Sequence, residues 1–60
     1  MNTTITKDDL LMMLDEMNKC GAERIKLELD ILGYDIELRW IDFDAYEKDG
    51  NFIKTLLTLE

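Results

Sequence analysis

Between Ile25 and Trp40 the chain reads IKLELDILGYDIELRW, two runs of strict alternation around a Gly-Tyr step. Ile25, Leu27, Leu29 and Ile31 are apolar at odd positions, and after Tyr34 the apolar set moves to Ile36, Leu38 and Trp40. A period of two belongs to a strand with one buried and one wet face, so the stretch predicts a β-hairpin. With Gly33-Tyr34 as a two-residue loop, Gly33 takes the positive φ that a type II′ turn requires. Leu32 then faces Asp35, Ile31 faces Ile36, Leu29 faces Leu38 and Leu27 faces Trp40. The other face sets Glu28 against Arg39, which is favourable, and Asp30 against Glu37, which is not. A one-residue slip would oppose apolar and charged side chains on both faces, so the pattern specifies this register.

Upstream, Thr6 is a good N-cap with Asp9 three residues on as a capping-box variant, and Ile5 and Leu10 are spaced for a hydrophobic staple. Asp8 and Asp9 complement the positive end of a helix dipole, Lys19 the negative end, and Gly21 suits the position after the last turn. These signals predict a helix over 7–20. Leu10, Met13, Leu14 and Met17 form its apolar stripe, with Cys20 at the edge, expected to lie on the hairpin. Leu11 and Met12 fall off that stripe.

Beyond Trp40 the pattern loosens. Ile41 and Phe43 take the opposite parity, and Asp42 and Asp44 occupy the formerly apolar one. Either the strand carries a bulge here or it ends near Ile41. Asp49-Gly50 is a type I′ signal that would pair Lys48 with Asn51 and Tyr46 with Ile53. The last segment then returns as a strand with Ile53, Thr55, Leu57 and Leu59 on one face. A short helix with Phe52, Ile53, Leu56 and Leu57 on one side is the alternative; the turn signal and the threonines favour the strand. The expected fold is α+β, a single domain over 1–60, with the helix on a three-stranded antiparallel sheet (α-β-β-β) whose strands span about 24–32, 35–42 and 52–59. One sheet face is apolar and covered. The other is charged, mainly Lys26, Glu28, Asp30, Asp35, Glu37 and Arg39.

A chain of 60 residues buries only about 60% of its unfolded surface and is marginal alone. Its one cysteine, Cys20, forms no internal disulfide, and a lone cysteine fits a reducing compartment. Without histidine or serine no Ser-His-Asp or Cys-His site can be built, and no glycine-rich phosphate loop is present. No cysteine and histidine set holds zinc. Asp42, Asp44, Glu47 and Asp49 are candidates for a hard cation, but their spacing is not that of an EF-hand loop and suggests at most a casual site. No catalytic, cofactor or metal site is therefore expected. No apolar run approaches the ~18 residues of a membrane span and no leader-like segment opens the chain, so a soluble, cytoplasmic protein is expected.

The net charge is −7, which disfavours nucleic acid as a direct ligand because phosphate binding rests on Lys and Arg. Glu28, Asp30, Asp35, Glu37, Asp42, Asp44, Glu47 and Asp49 lie in one stretch with only Arg39 and Lys48 as bases, and so carry six of the seven excess charges. Residues two apart on a strand are ~6.6 Å apart on one face, near the scale of nucleic-acid phosphates, which rise about 3.4 Å per residue of one strand. Glu28 and Asp30 on one strand, with Asp35 and Glu37 on its neighbour, would make a carboxylate ladder that suits a groove built for a phosphate backbone.

In length, α-β-β-β order and these eight acids the chain resembles small acidic phage-encoded inhibitors of bacterial defence, the anti-CRISPR proteins that act as DNA mimics. The resemblance spans the architecture of the whole chain and involves no signature motif. It implies a non-enzymatic inhibitor in the bacterial host cytoplasm. Its eight acids would bind a basic protein surface of a nucleic-acid-binding complex, blocking the DNA- or PAM-reading surface stoichiometrically, as a monomer or weak dimer.

A second expectation rests on the residues alone. A small assembly module would self-associate or dock through apolar residues that the fold leaves uncovered, such as Leu11, Met12, Ile41 and Phe43, or through a sheet edge. Its association would tolerate salt and fail on Met12→Asp or Phe43→Asp.

Overall fold

The structure is a computed structural model that describes the backbone of residues 3–32 and 37–60 and the side chains of 3–30 and 39–60. Helix α1 spans Lys7–Cys20, and three strands follow, β1 Arg24–Leu32, β2 Glu37–Tyr46 and β3 Phe52–Leu59. The strands form one antiparallel sheet in the order β1-β2-β3. This is the α+β arrangement that the periodicities predict.

The helix ends follow from local chemistry. The Asp9 N–H donates to Thr6 Oγ1 at 3.1 Å and the Thr6 N–H to Asp9 Oδ2 at 3.0 Å, a complete capping box. Such a cap is worth about 1 kcal/mol. At the other end Gly21 adopts φ 74° and the Ala22 N–H donates to the Met17 carbonyl at 3.1 Å. That left-handed conformation is where glycine avoids the Cβ penalty.

The hairpin register differs from the alternation-based expectation. Leu29 pairs with Ile41 rather than Leu38, and Leu27 with Phe43 rather than Trp40. Glu28 pairs with Asp42 rather than Arg39, and Asp30 with Trp40 rather than Glu37. Near the turn Ile31 pairs with Leu38 and Leu32 with Glu37. The Gly33-Tyr34 loop, Asp35 and Ile36 lie outside the described residues. The physical reason is that β2 carries two apolar sets of opposite parity, and the later one, Ile41, Phe43 and Ala45, meets β1. A bulge opposite Asp30 and Ile31 reconciles them, with Arg39 as the extra residue. The bulge thus precedes Trp40, and β2 runs on to Tyr46 instead of ending near 42.

The second turn also differs. Gly50 N–H donates to the Glu47 carbonyl at 3.0 Å, Glu47 N–H to the Asn51 carbonyl at 2.8 Å, and Gly50 has φ 97°. A type I turn closed by a positive-φ glycine is the three-residue hairpin loop, not the two-residue type I′ loop. Tyr46 accordingly pairs with Phe52, not Ile53, and Lys48 does not pair with Asn51 in the ladder. Two further register shifts follow, between Phe43 and Asp44 and between Ala45 and Tyr46; the first moves Thr55 to the face opposite Leu57 and Leu59, because Thr55 pairs with Asp44 and Leu57 with Phe43.

Cross-strand partners share a face. One face therefore carries Ile25, Leu27 and Leu29 of β1, Ile41, Phe43 and Ala45 of β2, and Leu57 and Leu59 of β3. The helix packs on this face, and the core is Met13, Ile41, Phe43 and Leu59, flanked by Ile5, Leu56 and Leu57. Ile41 and Phe43, expected to be uncovered, are core. Leu10 and Leu14, expected in the core stripe, are exposed, and only Met13 of that stripe is buried. A helix with side chains is about 10–12 Å across, roughly two strand spacings of ~4.8 Å, so one helix cannot cover three strands. It lies over β2 and β3, and an ion pair of 3.0 Å from Glu16 to Lys54 ties it to the β3 side.

Candidate functional site

Two surfaces carry candidate function, one on each face of the sheet. The first is the charged face. Arg24, Lys26, Glu28 and Asp30 of β1 pair with Tyr46, Asp44, Asp42 and Trp40 of β2. Glu28 opposite Asp42 is a like-charge pair, two residues along β1 from the Asp30–Glu37 pair that the simple hairpin predicts. Among the described residues, each of Glu28, Asp30, Asp42 and Asp44 has a neighbour that answers it. Lys26 Nζ is 3.1 Å from Glu28, and this hydrogen bond raises the lysine pKa above its ordinary value, with Coulomb attraction second. Arg39 sits 3.8 Å from Asp30 and stacks 4.9 Å from the centre of the Trp40 ring. Thr58 Oγ1 donates to Asp42 at 2.6 Å, and Thr55 Oγ1 to Asp44 at 2.7 Å. Asp44 is buried, at 8% exposure.

The eight acids do not form one ladder. Glu28, Asp30, Asp42 and Asp44 share the sheet face with Arg24, Lys26 and Arg39. Glu47 and Asp49 sit in the β2–β3 turn beyond Tyr46, where both carboxylates accept from Asn51 Nδ2, at 3.4 and 3.1 Å. Asp35 and the Glu37 side chain lie outside the described residues. Among the described residues no three acids, cysteines or histidines gather where a metal ion could be held.

The second surface is apolar, and hydrophobic alternation alone assigned its residues to the core. Leu27 and Leu29 are each 54% exposed, and Ile25 is also exposed. They form the uncovered third of the sheet's apolar face. Around the helix axis Glu16 and Lys54 mark the β3 flank of Met13, and the 100° step between residues places Leu10 and Leu14 on the opposite flank, toward β1. Leu10 and Leu14 are exposed as well. A shelf results, floored by Ile25, Leu27 and Leu29 and walled by Leu10 and Leu14. Leu11 and Met12 are exposed too. The signal that identifies the shelf in the sequence is the second apolar set on β2. Once Ile41, Phe43 and Ala45 are counted, the chain has more apolar strand positions than one helix covers.

Elsewhere a shallow hollow is lined by Cys20, Gly21, Glu23, Glu47, Lys48 and Asp49. Cys20 is half-buried with Sγ 3.8 Å from the Met17 carbonyl, in keeping with a small packing residue. No helix among the described residues is long and apolar enough to cross a membrane. The chain matches no protein-family model, no curated protein and no solved structure.

Proposed function

We propose that this chain is a non-enzymatic assembly module that docks through its apolar shelf. One observation carries the reading: Leu27 and Leu29 of β1 and Leu10 and Leu14 of α1 are all at least half exposed, on the flank that the helix leaves uncovered. Scattered exposed leucines are ordinary, but a contiguous apolar surface rimmed by charge is the usual mark of an interaction site. A tagged chain is expected to retain its partner, another protein or its own copy, through a high-salt wash. Leu27→Asp abolishes that retention while far-UV circular dichroism stays unchanged. Leu27→Thr, which puts a β-branched residue suited to a strand in its place, weakens it. Retention that survives Leu27→Asp in a folded chain would refute docking by this surface.

A second reading is favoured by a different observation, the Glu28–Asp42 like-charge pair on the opposite face together with the exposed Glu47 and Asp49. Here the chain is an acidic inhibitor that mimics nucleic acid and blocks a basic DNA-binding surface of a CRISPR-type defence complex. Its carboxylates speed association by electrostatic steering, which salt screens. Binding is then steeply salt-dependent, and Glu28→Lys with Asp42→Lys lowers the association rate by roughly tenfold or more, the steering range. Unchanged rates for the double variant in low salt would refute mimicry by this face. The two readings use opposite faces and are tested separately.

A further inference from the structure

The geometry points to a second copy of this chain as the occupant of the β1 edge, joined antiparallel to its own β1 about a two-fold axis at Leu27. This rests on the docking reading above and names its partner. Among the described residues nothing pairs with the outer edge of β1, since the sheet order is β1-β2-β3. An uncovered edge presents a row of backbone donors and acceptors to another strand. From Arg24 to Asp30 the β1 ladder runs without a register shift, and the bulge comes only after Asp30. Seven residues at about 3.3 Å each give a straight edge of ~20 Å. The outer strand on the other side, β3, lies against two register shifts and beside the helix, so it is the less regular template.

The identity of the partner comes from the order of side chains along that edge. The segment reads Arg24, Ile25, Lys26, Leu27, Glu28, Leu29, Asp30. Turned antiparallel on itself about Leu27, it pairs Arg24 with Asp30 of the second copy and Lys26 with Glu28 of the second copy. On the other face Ile25 meets Leu29 and Leu27 meets its own counterpart. Every charged pair is then opposite in sign, every apolar pair lies on the shelf side, and the two-fold repeats each one except the Leu27 pair on the axis. Opposite-charge and apolar cross-strand pairs each stabilise a sheet, and like charges opposed would destabilise it. Shifting the register by two residues either way sets like charges or unpaired ends against one another. In the single chain Lys26 turns along its own strand to Glu28 at 3.1 Å and lies 6.0 Å from the centre of the Tyr46 ring. The interface is isologous, as a two-fold dimer requires. Strand addition of this size belongs to the small, weak class of interfaces, under about 1,200 Å² in total, so the dimer is reversible and concentration-dependent.

Sedimentation equilibrium of the full chain across a concentration series, with the variants Arg24→Asp and Asp30→Arg, tests this. Within one chain Arg24 faces Tyr46, whereas Asp30 has Arg39 at 3.8 Å, so Asp30→Arg also brings two cations together inside the chain; circular dichroism checks its fold, and rescue by mixing with Arg24→Asp separates the dimer effect from that local one. Each single variant sets like charges opposite one another twice in the dimer, and its dissociation constant rises about tenfold. An equimolar mixture of the two variants restores both pairs, and dimerisation returns to the wild-type level. A wild-type chain that stays monomeric, or a dimer whose variants are not rescued by mixing, overturns the inference. The docking reading fails separately. If a monomeric chain still retains another protein in a Leu27-dependent manner, only the self-pairing is wrong. If dimerisation and retention both ignore Leu27→Asp, the shelf itself is wrong.

Discussion

Replacing Met13 by alanine is expected to remove most of the chain's stability, whereas replacing Leu14 by alanine leaves it nearly unchanged. The two residues are adjacent on α1 and belong to the same apolar stripe, yet Met13 is 2% exposed and Leu14 is 57% exposed. Truncating a buried methionine costs about 2–5 kcal/mol, through lost transfer energy and the cavity left behind. At roughly 0.05–0.15 kcal/mol per residue, a chain of this length has only about 3–9 kcal/mol to lose. A surface truncation changes stability by about 0.5 kcal/mol or less. Urea denaturation followed by circular dichroism checks both. Equal losses for the two variants would mean that the helix rests on the sheet through a broader stripe than the structure has.

Phe43→Asp is expected to abolish folding rather than association. Phe43 lies in the core with Met13, Ile41 and Leu59, paired to Leu27 on one side and Leu57 on the other. Losing a buried aromatic ring costs about 3–5 kcal/mol, and a carboxylate in its place has no cation beside it in that cluster and must be buried or protonated. The variant should show no cooperative transition and a flat near-ultraviolet spectrum. A folded Phe43→Asp chain that merely fails to associate would return Phe43 to the surface and with it the register expected from alternation alone.

The contrast between these residues shows where the sequence was legible. Helix limits were, because Thr6, Asp9 and Gly21 act within one turn and need no tertiary partner. The limits of β1 and β3 were also legible, since period-two alternation in 24–32 and the Asp49-Gly50 turn signal are local. Register was not. Ile36, Leu38 and Trp40 offer one parity and Ile41, Phe43 and Ala45 the other, and choosing between them depends on which set the helix and β3 bury. The bulge at Arg39 has no local signature strong enough to announce the switch. The cross-strand pairing on the acidic face was not legible for the same reason. Once β2 slides along β1, Asp42 and Asp44 fall opposite Glu28 and Lys26, Thr55 and Thr58 tie them down, and Asp44 sinks below the surface.

Leu27 and Leu29, expected in the interior, are likewise exposed, and they form the surface proposed for docking. This division of apolar residues between a core over β2 and β3 and a free shelf over β1 is the central claim. It is tested most directly by hydrodynamic measurement of wild type and Leu27→Asp, in low and high salt, with the fold of each followed by circular dichroism. The expected result is association that persists in high salt for the wild type and disappears in the folded variant. Association that salt dissolves and Leu27→Asp leaves intact would contradict the account and assign the interaction to the charged face instead.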